Sequence, residues 1–535
     1  MYLKHCRANT PRAVARELLR PAKARLEFEN ALRLRQLGIP TVEPLAWGGP
    51  ELLPGDSYLV TREQAGAMPF PDLLEAPLSP TTRRQLAHSL GRFLASLHDA
   101  GVTHPDPHPG NLLVEDGATS APRFVLMDLH AVRFGRPLDW PAARDNLILF
   151  NRFFHLRATR ADRLRFWRAY LGSRSNLGTG SSVGCVEEAL GRNAPAPQRP
   201  APRAEVPMVR FAEPQRTLRS SRTLPAEWAK ELERATAASN CRFWAARTAR
   251  YTADNRESKR VRGPAATGYA VRDLPADVLA AWLADPDAPF RDPATAILKD
   301  SRSSTVGVLR LANGQHVVYK RFNLKQPFAA LKNLFRPSPA MRSWLAGNGI
   351  RDRGLPTARP LAVFHRRRFG VPTVGYAVCD LVPDAIPLPE ALERLDHIPP
   401  GQRRRAARAW ADRLGRLARL LHDRQVSHRD FKASNILLCG TADAPDCWQP
   451  VLIDLVGVET GKPVPDRVRV RDLARLNASF LHSPRVTRTD RLRFLRAYRN
   501  WGLAGRGGWK GWWVRVAAGS AEKAARNART GRPLA

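Results

Sequence analysis

Cysteine is scarce in this 535-residue chain, and the six present (Cys6, Cys185, Cys241, Cys379, Cys439 and Cys447) never stand in a C-x-x-C spacing. That scatter argues against a disulfide framework and a structural zinc site, and it fits the reducing cytoplasm. Long apolar runs are missing too. No stretch approaches the ~20 residues that a spanning helix needs, and no charged-then-apolar leader opens the sequence, so a soluble or membrane-peripheral protein is expected. Acidic residues are outnumbered, 49 against 86 Lys and Arg, for a formal net charge of +37. Three readings compete for that excess: a nucleic-acid surface, an anionic membrane surface, or an arginine-rich background from a GC-rich coding sequence. Arginine runs through the whole chain, with local maxima at HRRRFG (365–370) and GQRRRAAR (401–408). No reader motif with interleaved aromatics accompanies it, so nucleic acid is not expected as the main partner.

What the chain does have is length and repetition. Its 535 residues exceed what one core organises, and a hydrophobic fraction of 43% can fill two. QLGIPTVEPLAW (36–47) pairs with DRGLPTARPLAV (352–363), LGRFLASLHDAGVTHPD (90–106) with LGRLARLLHDRQVSHRD (414–430), and TRADRLRFWRAY (159–170) with TRTDRLRFLRAY (487–498). The pairs Gly38/Gly354, Asp106/Asp430 and Asp162/Asp490 are offset by 316, 324 and 328 residues. The order of elements is kept while loop lengths drift, which is the pattern of a tandem duplication. Between the copies, about 172–225 is rich in Gly, Ser, Pro, Ala and Arg and reads as a disordered insertion. The helical tract 226–251 reads as the end of copy one. The expected domains are therefore 1–262 and 266–535.

Copy two begins with TAILKD, TVGVLRL, an Asn313-Gly314 hairpin signal and QHVVYKRF, a three-strand meander ending near Lys320. A helix around Ala340, a strand at YAVCDLV and a long helix over about 403–423 follow, then the loop with His428-Arg429-Asp430 and a short strand carrying Asp454. A small sheet lobe joined to a helical lobe is the arrangement of a protein-kinase-like fold. The fold class expected is α+β: two tandem protein-kinase-like domains, each a β-rich N-lobe and a helical C-lobe, the first with a truncated N-lobe.

The strand lysine, the G-[IL]-P-T-x-x-P-L-A stretch, the LHDxxVxHxD run, the Asn five residues later and the Asp in an apolar strand occur in this order in both halves. On those residues the halves resemble the lipopolysaccharide kinase (Kdo/WaaP) family, which resembles protein kinases. The resemblance implies ATP-dependent phosphorylation of sugars of the lipid A and core region. DPHPGN (106–111) is also similar to the UbiB-type atypical kinases.

Phosphoryl transfer itself asks for such residues: an aligned hydroxyl, a lysine on the phosphates, and magnesium to neutralise developing charge. In copy two, Asp430 is the candidate base, Lys432 stands near the transferring phosphate, Lys320 holds the α and β phosphates, and Asn435 and Asp454 offer hard oxygen ligands for Mg2+. Copy one supplies Asp106, Asn111 and Asp128 at the matching places, with Lys4 on its first strand and Glu27 on a helix as that lysine's partner, Glu29 being a second candidate. Copy one has no phosphate-covering hairpin before Lys4, has Pro105 where copy two has Arg429, and has His108 in place of Lys432. Copy two has the hairpin, but KDSRSSTVG carries serines where glycines would let amides approach phosphate, and Ser343 aligns with Glu27. Copy two is expected to be the active kinase and copy one degenerate.

Near the C-terminus RNWGLAGRGGWKGWWVRVAAG (499–519) gathers four indoles among basic residues. It reads either as a peripheral anchor on an anionic inner leaflet or as packing on the helical lobe. The expected function is an ATP- and Mg2+-dependent kinase of a lipid-linked sugar hydroxyl, cytoplasmic or on the cytoplasmic membrane face. A small-molecule phosphotransferase of the same fold and a pseudokinase pair serving as a nucleotide-binding scaffold stand as alternatives.

Overall fold

Strand β1 (Tyr2–Cys6) pairs antiparallel with β3 (Ser57–Thr61), which pairs in turn with β2 (Pro44–Gly48). The helix Lys23–Gln36 buries Ala24, Glu27, Ala31 and Leu34, a stripe at three- to four-residue spacing down one face. Among the described residues, Cys6, Ala24 and Leu59, backed by Phe28 and Trp47, form the core of this small lobe. Beyond it come β4 (Met68–Pro69), the helix Pro80–Asp99, β5 (Val102–Thr103), β6 (Leu112–Glu115), β7 (Arg123–Leu126) and β8 (Arg133–Phe134). Helices Trp140–His155 and Arg160–Ser173 complete a larger core around Leu90, Phe93, Leu94, Phe150, Trp167 and Tyr170. Ser79 caps the long helix, its hydroxyl accepting from Thr82 N at 3.0 Å.

The computed structural model describes residues 1–8, 14–15, 17–50, 55–75, 78–115, 122–174, 224–323, 337–368, 371–441, 444–499 and 508–531. It parts into two units, Met1–Thr236 and Ala237–Ala535, and the helix Leu224–Ala249 runs through the division. The insertion expected at 172–225 lies, from 175 to 223, outside the described residues.

The first strands of unit 2 are β9 (Ser258–Arg262) and β10 (Ala266–Val271), so the expected boundary at 262–266 falls in the turn between them. The helix Ala276–Ala284 and the turn Ala288–Arg291 follow. The meander is present as β11 (Ala296–Ser301), β12 (Ser304–Arg310) and β13 (His316–Phe322), with Gly314 at φ +82° in the β12–β13 turn. With β14 (Pro360–Arg368) and β15 (Val371–Asp380) they make a seven-stranded sheet ordered β11-β12-β13-β15-β14-β10-β9. Its core, around Tyr319, Trp344, Phe364 and Tyr376, is separate from that of the helical lobe, around Trp410, Leu414, Leu421, Phe431 and Leu473. The helical lobe carries β16 (Ala385–Pro387), β17 (Val426–Ser427), β18 (Ile436–Cys439), β19 (Gln449–Leu452) and β20 (Glu459–Thr460) beside the helix Pro400–Asp423. The pairings β4-β6-β7 and β5-β8 of unit 1 recur as β16-β18-β19 and β17-β20.

A glycine permits a close helix crossing in each unit. A Cβ on Gly415 would lie 2.4 Å from Phe494 O, and one on Gly91 2.5 Å from Phe166 O. Gly415→Ala is therefore expected to destabilise unit 2 by about 3 kcal/mol, because two backbones must separate to admit one methyl group. Thermal unfolding measures this, and a melting curve like that of the parent would show that the crossing relaxes freely.

Among the described residues no helix is long and apolar enough to cross a membrane. Of the C-terminal indoles, Trp512 is buried in the helical-lobe core and Trp513 packs against it, Trp509 is 36% exposed, and Trp501 lies outside the described residues.

Candidate active site

The G-[IL]-P-T stretch has a structural explanation that leads to the site. Gly38 (φ +71°) and Gly354 (φ +65°) terminate their helices in the left-handed conformation, with Ile39 N and Leu355 N bonding back to Leu34 O and Ile350 O at 2.9 and 3.1 Å. Pro40 O and Pro356 O then accept from Leu126 N and Leu452 N, and the hydroxyls of Thr41 and Thr357 donate to the carbonyls of the same leucines at 2.7 Å. Those leucines end β7 and β19. Two residues on stand Asp128 (φ +56°) and Asp454 (φ +55°), a conformation that costs a non-glycine residue on the order of 1 kcal/mol. Each carboxylate is thus aimed by a strand anchored on both sides, since Asn111 O and Asn435 O hold the next amide, that of Met127 or Ile453, at 2.8 and 3.0 Å.

In unit 2, Lys320 on β13 donates to Asp454 Oδ1 at 2.9 Å and stands 5.0 Å from the ring centre of Phe322. Burial works against the Asp454 charge, but Lys320, with His428 and Lys299 nearby, outweighs it and holds the carboxyl below its usual range. Asn435 Nδ2 donates to Asp430 O at 2.8 Å and to its carboxylate Oδ2 at 3.1 Å. Asp430 is exposed and Lys432 half-buried. Arg429 ion-pairs with Glu459 and sits at φ +57°, which lets Asp430 N turn back onto His428 O at 2.7 Å.

Unit 1 differs at that turn for a covalent reason. Proline cannot take a positive φ, so with Pro105 in the place of Arg429 the Asp106 amide instead donates to His104 Nδ1 at 3.1 Å. Asn111 Nδ2 reaches the Asp106 carbonyl at 3.0 Å and makes no bond to its carboxylate. His108 spends Nδ1 on accepting from Gly110 N at 3.0 Å, which leaves its ring neutral where unit 2 has Lys432. The lysine is also bound differently. Lys4 Nζ contacts both oxygens of buried Glu27 (2.9 and 2.8 Å) and Asp128 Oδ1 (2.7 Å), so all three of its protons are engaged. A hydrogen bond from His130 at 3.1 Å, then Lys4, hold Asp128 well below the usual carboxylate range despite burial. Among the described residues, Glu27, Asp128 and His130 are the acidic and histidine side chains close enough to share a cation, and the Lys4 ammonium bonds the same carboxylates.

The expected residues are thereby brought together within each unit: Lys4 with Glu27 and Asp128, Asp106 with Asn111, Lys320 with Asp454, and Asp430 with Asn435. Sequence reasoning missed the supports beneath them. Asp472, fully buried, accepts from Ser427 Oγ at 2.6 Å and His428 N at 3.1 Å, and so holds the loop that carries Asp430. Burial opposes its charge, yet His422 and Ser427 keep its carboxyl below the ordinary range. In unit 1 Asn146 fills this place, its Nδ2 donating to His104 O at 2.8 Å and its Oδ1 facing His98 Nε2 at 3.1 Å. The histidine of each LHD run meets the tyrosine of the RAY segment, His98 with Tyr170 at 2.8 Å and His422 with Tyr498 at 2.9 Å. The repetition of both segments was the available signal, because paired recurrence of a buried polar type implies a partner.

The lipopolysaccharide kinase (Kdo/WaaP) family model matches residues 1–170 and 330–498. A 3-deoxy-D-manno-octulosonic acid kinase of Haemophilus influenzae (strain ATCC 51907 / DSM 11121 / KW20 / Rd) is 31% identical over 130 residues, 24% of this chain and 48% of the relative. The chain thus spans about half the length of the curated relative it matches. Among solved structures, WaaP in complex with acyl carrier protein aligns with a TM-score of 0.33 and 22% identity, over 48% of this chain and 97% of that one.

Proposed function

From the premise that the chain belongs to the lipopolysaccharide kinase (Kdo/WaaP) family, we propose that it is an ATP-dependent kinase acting on a hydroxyl of a lipid-linked sugar. Its two halves are tandem kinase-like domains, with unit 2 the catalyst and unit 1 a degenerate copy. The observation that carries this reading is the contact from Asn435 to the Asp430 carboxylate beside the Lys320–Asp454 pair, a contact that Asn111 does not make to the Asp106 carboxylate of unit 1. Asp430 accepts or orients the acceptor's proton, Lys432 faces the transferring phosphate, and Lys320 leaves Asp454 for the nucleotide phosphates. The donor set of Asp454 carboxylate and Asn435 amide oxygen fits Mg2+, which when bound neutralises charge on the phosphates. In unit 1 the corresponding carboxylate is already held by Lys4 and His130, which supports its degenerate role. Exposed Trp509 beside Lys510 supports a peripheral contact with anionic lipid on the cytoplasmic face.

A radiolabelled-ATP assay against acidic lipid-linked sugars and free small alcohols tests the reading, and transfer only to the small alcohols would replace it with a small-molecule phosphotransferase. In the same assay Asp106→Asn and Asp128→Asn are each expected to keep turnover within about twofold of the parent, because neither group touches a reacting phosphate. Loss of turnover in Asp106→Asn would make unit 1 the enzyme. A scaffold of two pseudokinases is the second reading, favoured by the lack of an acidic residue anywhere in the helix Pro339–Asp352 before its final Asp352, which leaves Lys320 without the partner that Lys4 finds in Glu27. Nucleotide binding without transfer to any acceptor would establish it.

A further inference from the structure

On unit 1 five basic side chains line one open hollow: Arg84, His88 and Arg92 from the helix Pro80–Asp99, and Arg165 and Arg168 from the helix Arg160–Ser173, with Gly172 also in its lining. Among the described residues no acidic side chain lines it. The first three stand at i, i+4 and i+8 on one face of the helix, a stripe that carries two guanidiniums and no negative charge. The glycine crossing brings the second helix's arginines alongside, since Gly91 lies against Phe166 O and Ala169. Arg165 is offset by Asp162, at 2.9 Å. Arg84, Arg92 and Arg168 are exposed and have no hydrogen-bond or ion-pair partner among the described residues.

Unit 2 carries the same four arginines at the matching sequence positions, Arg408, Arg416, Arg493 and Arg496, but has Asp412 where unit 1 has His88. A carboxylate in the middle of the row supplies internally the negative charge that the unit 1 row lacks. From this difference we infer that the hollow of unit 1 is a binding site for a phosphate-dense group, either free oligophosphate or the phosphomonoester headgroup of a lipid. Guanidinium forks match phosphate oxygens in pairs, and several forks around one hollow satisfy more oxygens than a single carboxylate presents. The site is independent of the catalytic reading of unit 2.

The test uses the full-length protein with excess ADP and magnesium, so that a nucleotide site does not report. Two probes distinguish the sources: sodium tripolyphosphate by titration calorimetry, and phosphatidylcholine vesicles carrying phosphatidic acid, against pure phosphatidylcholine, by co-sedimentation. The parent binds at least one probe, and R84A/R92A/R168A weakens that binding by about tenfold or more, whereas the equally charged control R262A/R404A/R405A changes it by less than about twofold. H88D, which copies the unit 2 arrangement in one exposed position, weakens it by about threefold or more and stands in should the triple variant fail to fold. Equal losses in triple variant and control would reduce the effect to net charge and overturn the site. So would binding of neither probe, or a preference for single-stranded oligonucleotide over both.

Discussion

Replacing Asp430 with asparagine is expected to lower phosphoryl transfer by a factor of about 10² to 10⁴, the usual worth of a positioned acid-base group, while nucleotide affinity is retained. The substitution is nearly isosteric and the side chain exposed, so the fold is not at stake. The backbone anchors also persist: the Asp430 amide still turns onto His428 O, and Asn435 still reaches the residue 430 carbonyl at 2.8 Å. What is lost is the carboxylate oxygen that faces Asn435 Nδ2 at 3.1 Å and would take the acceptor's proton. Single-turnover transfer from radiolabelled ATP, with calorimetry for nucleotide affinity, separates the two quantities. Turnover equal to that of the parent would remove Asp430 from the chemistry and favour the scaffold reading.

Asp454→Ala is expected to abolish the magnesium-dependent part of nucleotide binding, a loss of about 100-fold or more at saturating magnesium, while binding in chelator changes little. The carboxylate is a hard oxygen donor fixed by β19 and by its left-handed backbone, and its amide neighbour Asn435 is already committed on the nitrogen side to Asp430. Its ion pair with Lys320 follows the sign expected of a carboxylate held below its usual range. The pair is intact at neutral pH and is lost as pH falls through the depressed folded-state value. The effect of the substitution should therefore be the same from pH 6 to pH 8. Unchanged affinity with and without magnesium would make Asp454 a purely structural ion-pair partner.

Several features could be read directly from the one-dimensional pattern. The hairpin ahead of Lys320 announces itself through alternating apolar residues and Asn313-Gly314, because strand pairing across a tight turn is local. A helix glutamate as the partner of Lys4 could be read from LEFENALRL, where the fold selects Glu27 over Glu29, and the family likeness follows from the fixed order of lysine, G-[IL]-P-T, His-x-Asp and Asn. These are short-range signals, repeated at a nearly constant offset.

Tertiary structure alone decided the rest, since the partners lie far apart in sequence and leave no periodic trace. β9 and β10 join the far edge of a sheet whose other members start at Ala296. Asp472 supports His428 from 44 residues away, and nothing in the segment RVRDLARL marks it as that support. The exchange of Arg429 for Pro105 is visible in sequence, but its consequence is not. Only the folded loop shows that a positive φ at Arg429 frees the Asp430 carboxylate for Asn435, whereas a proline diverts the Asp106 amide to His104. The arginine hollow belongs to the same class: in a chain with so many arginines, composition cannot distinguish a scattered charge from a convergent one. The close helix crossing at Gly91 makes the difference, by setting two basic rows from separate elements around one space.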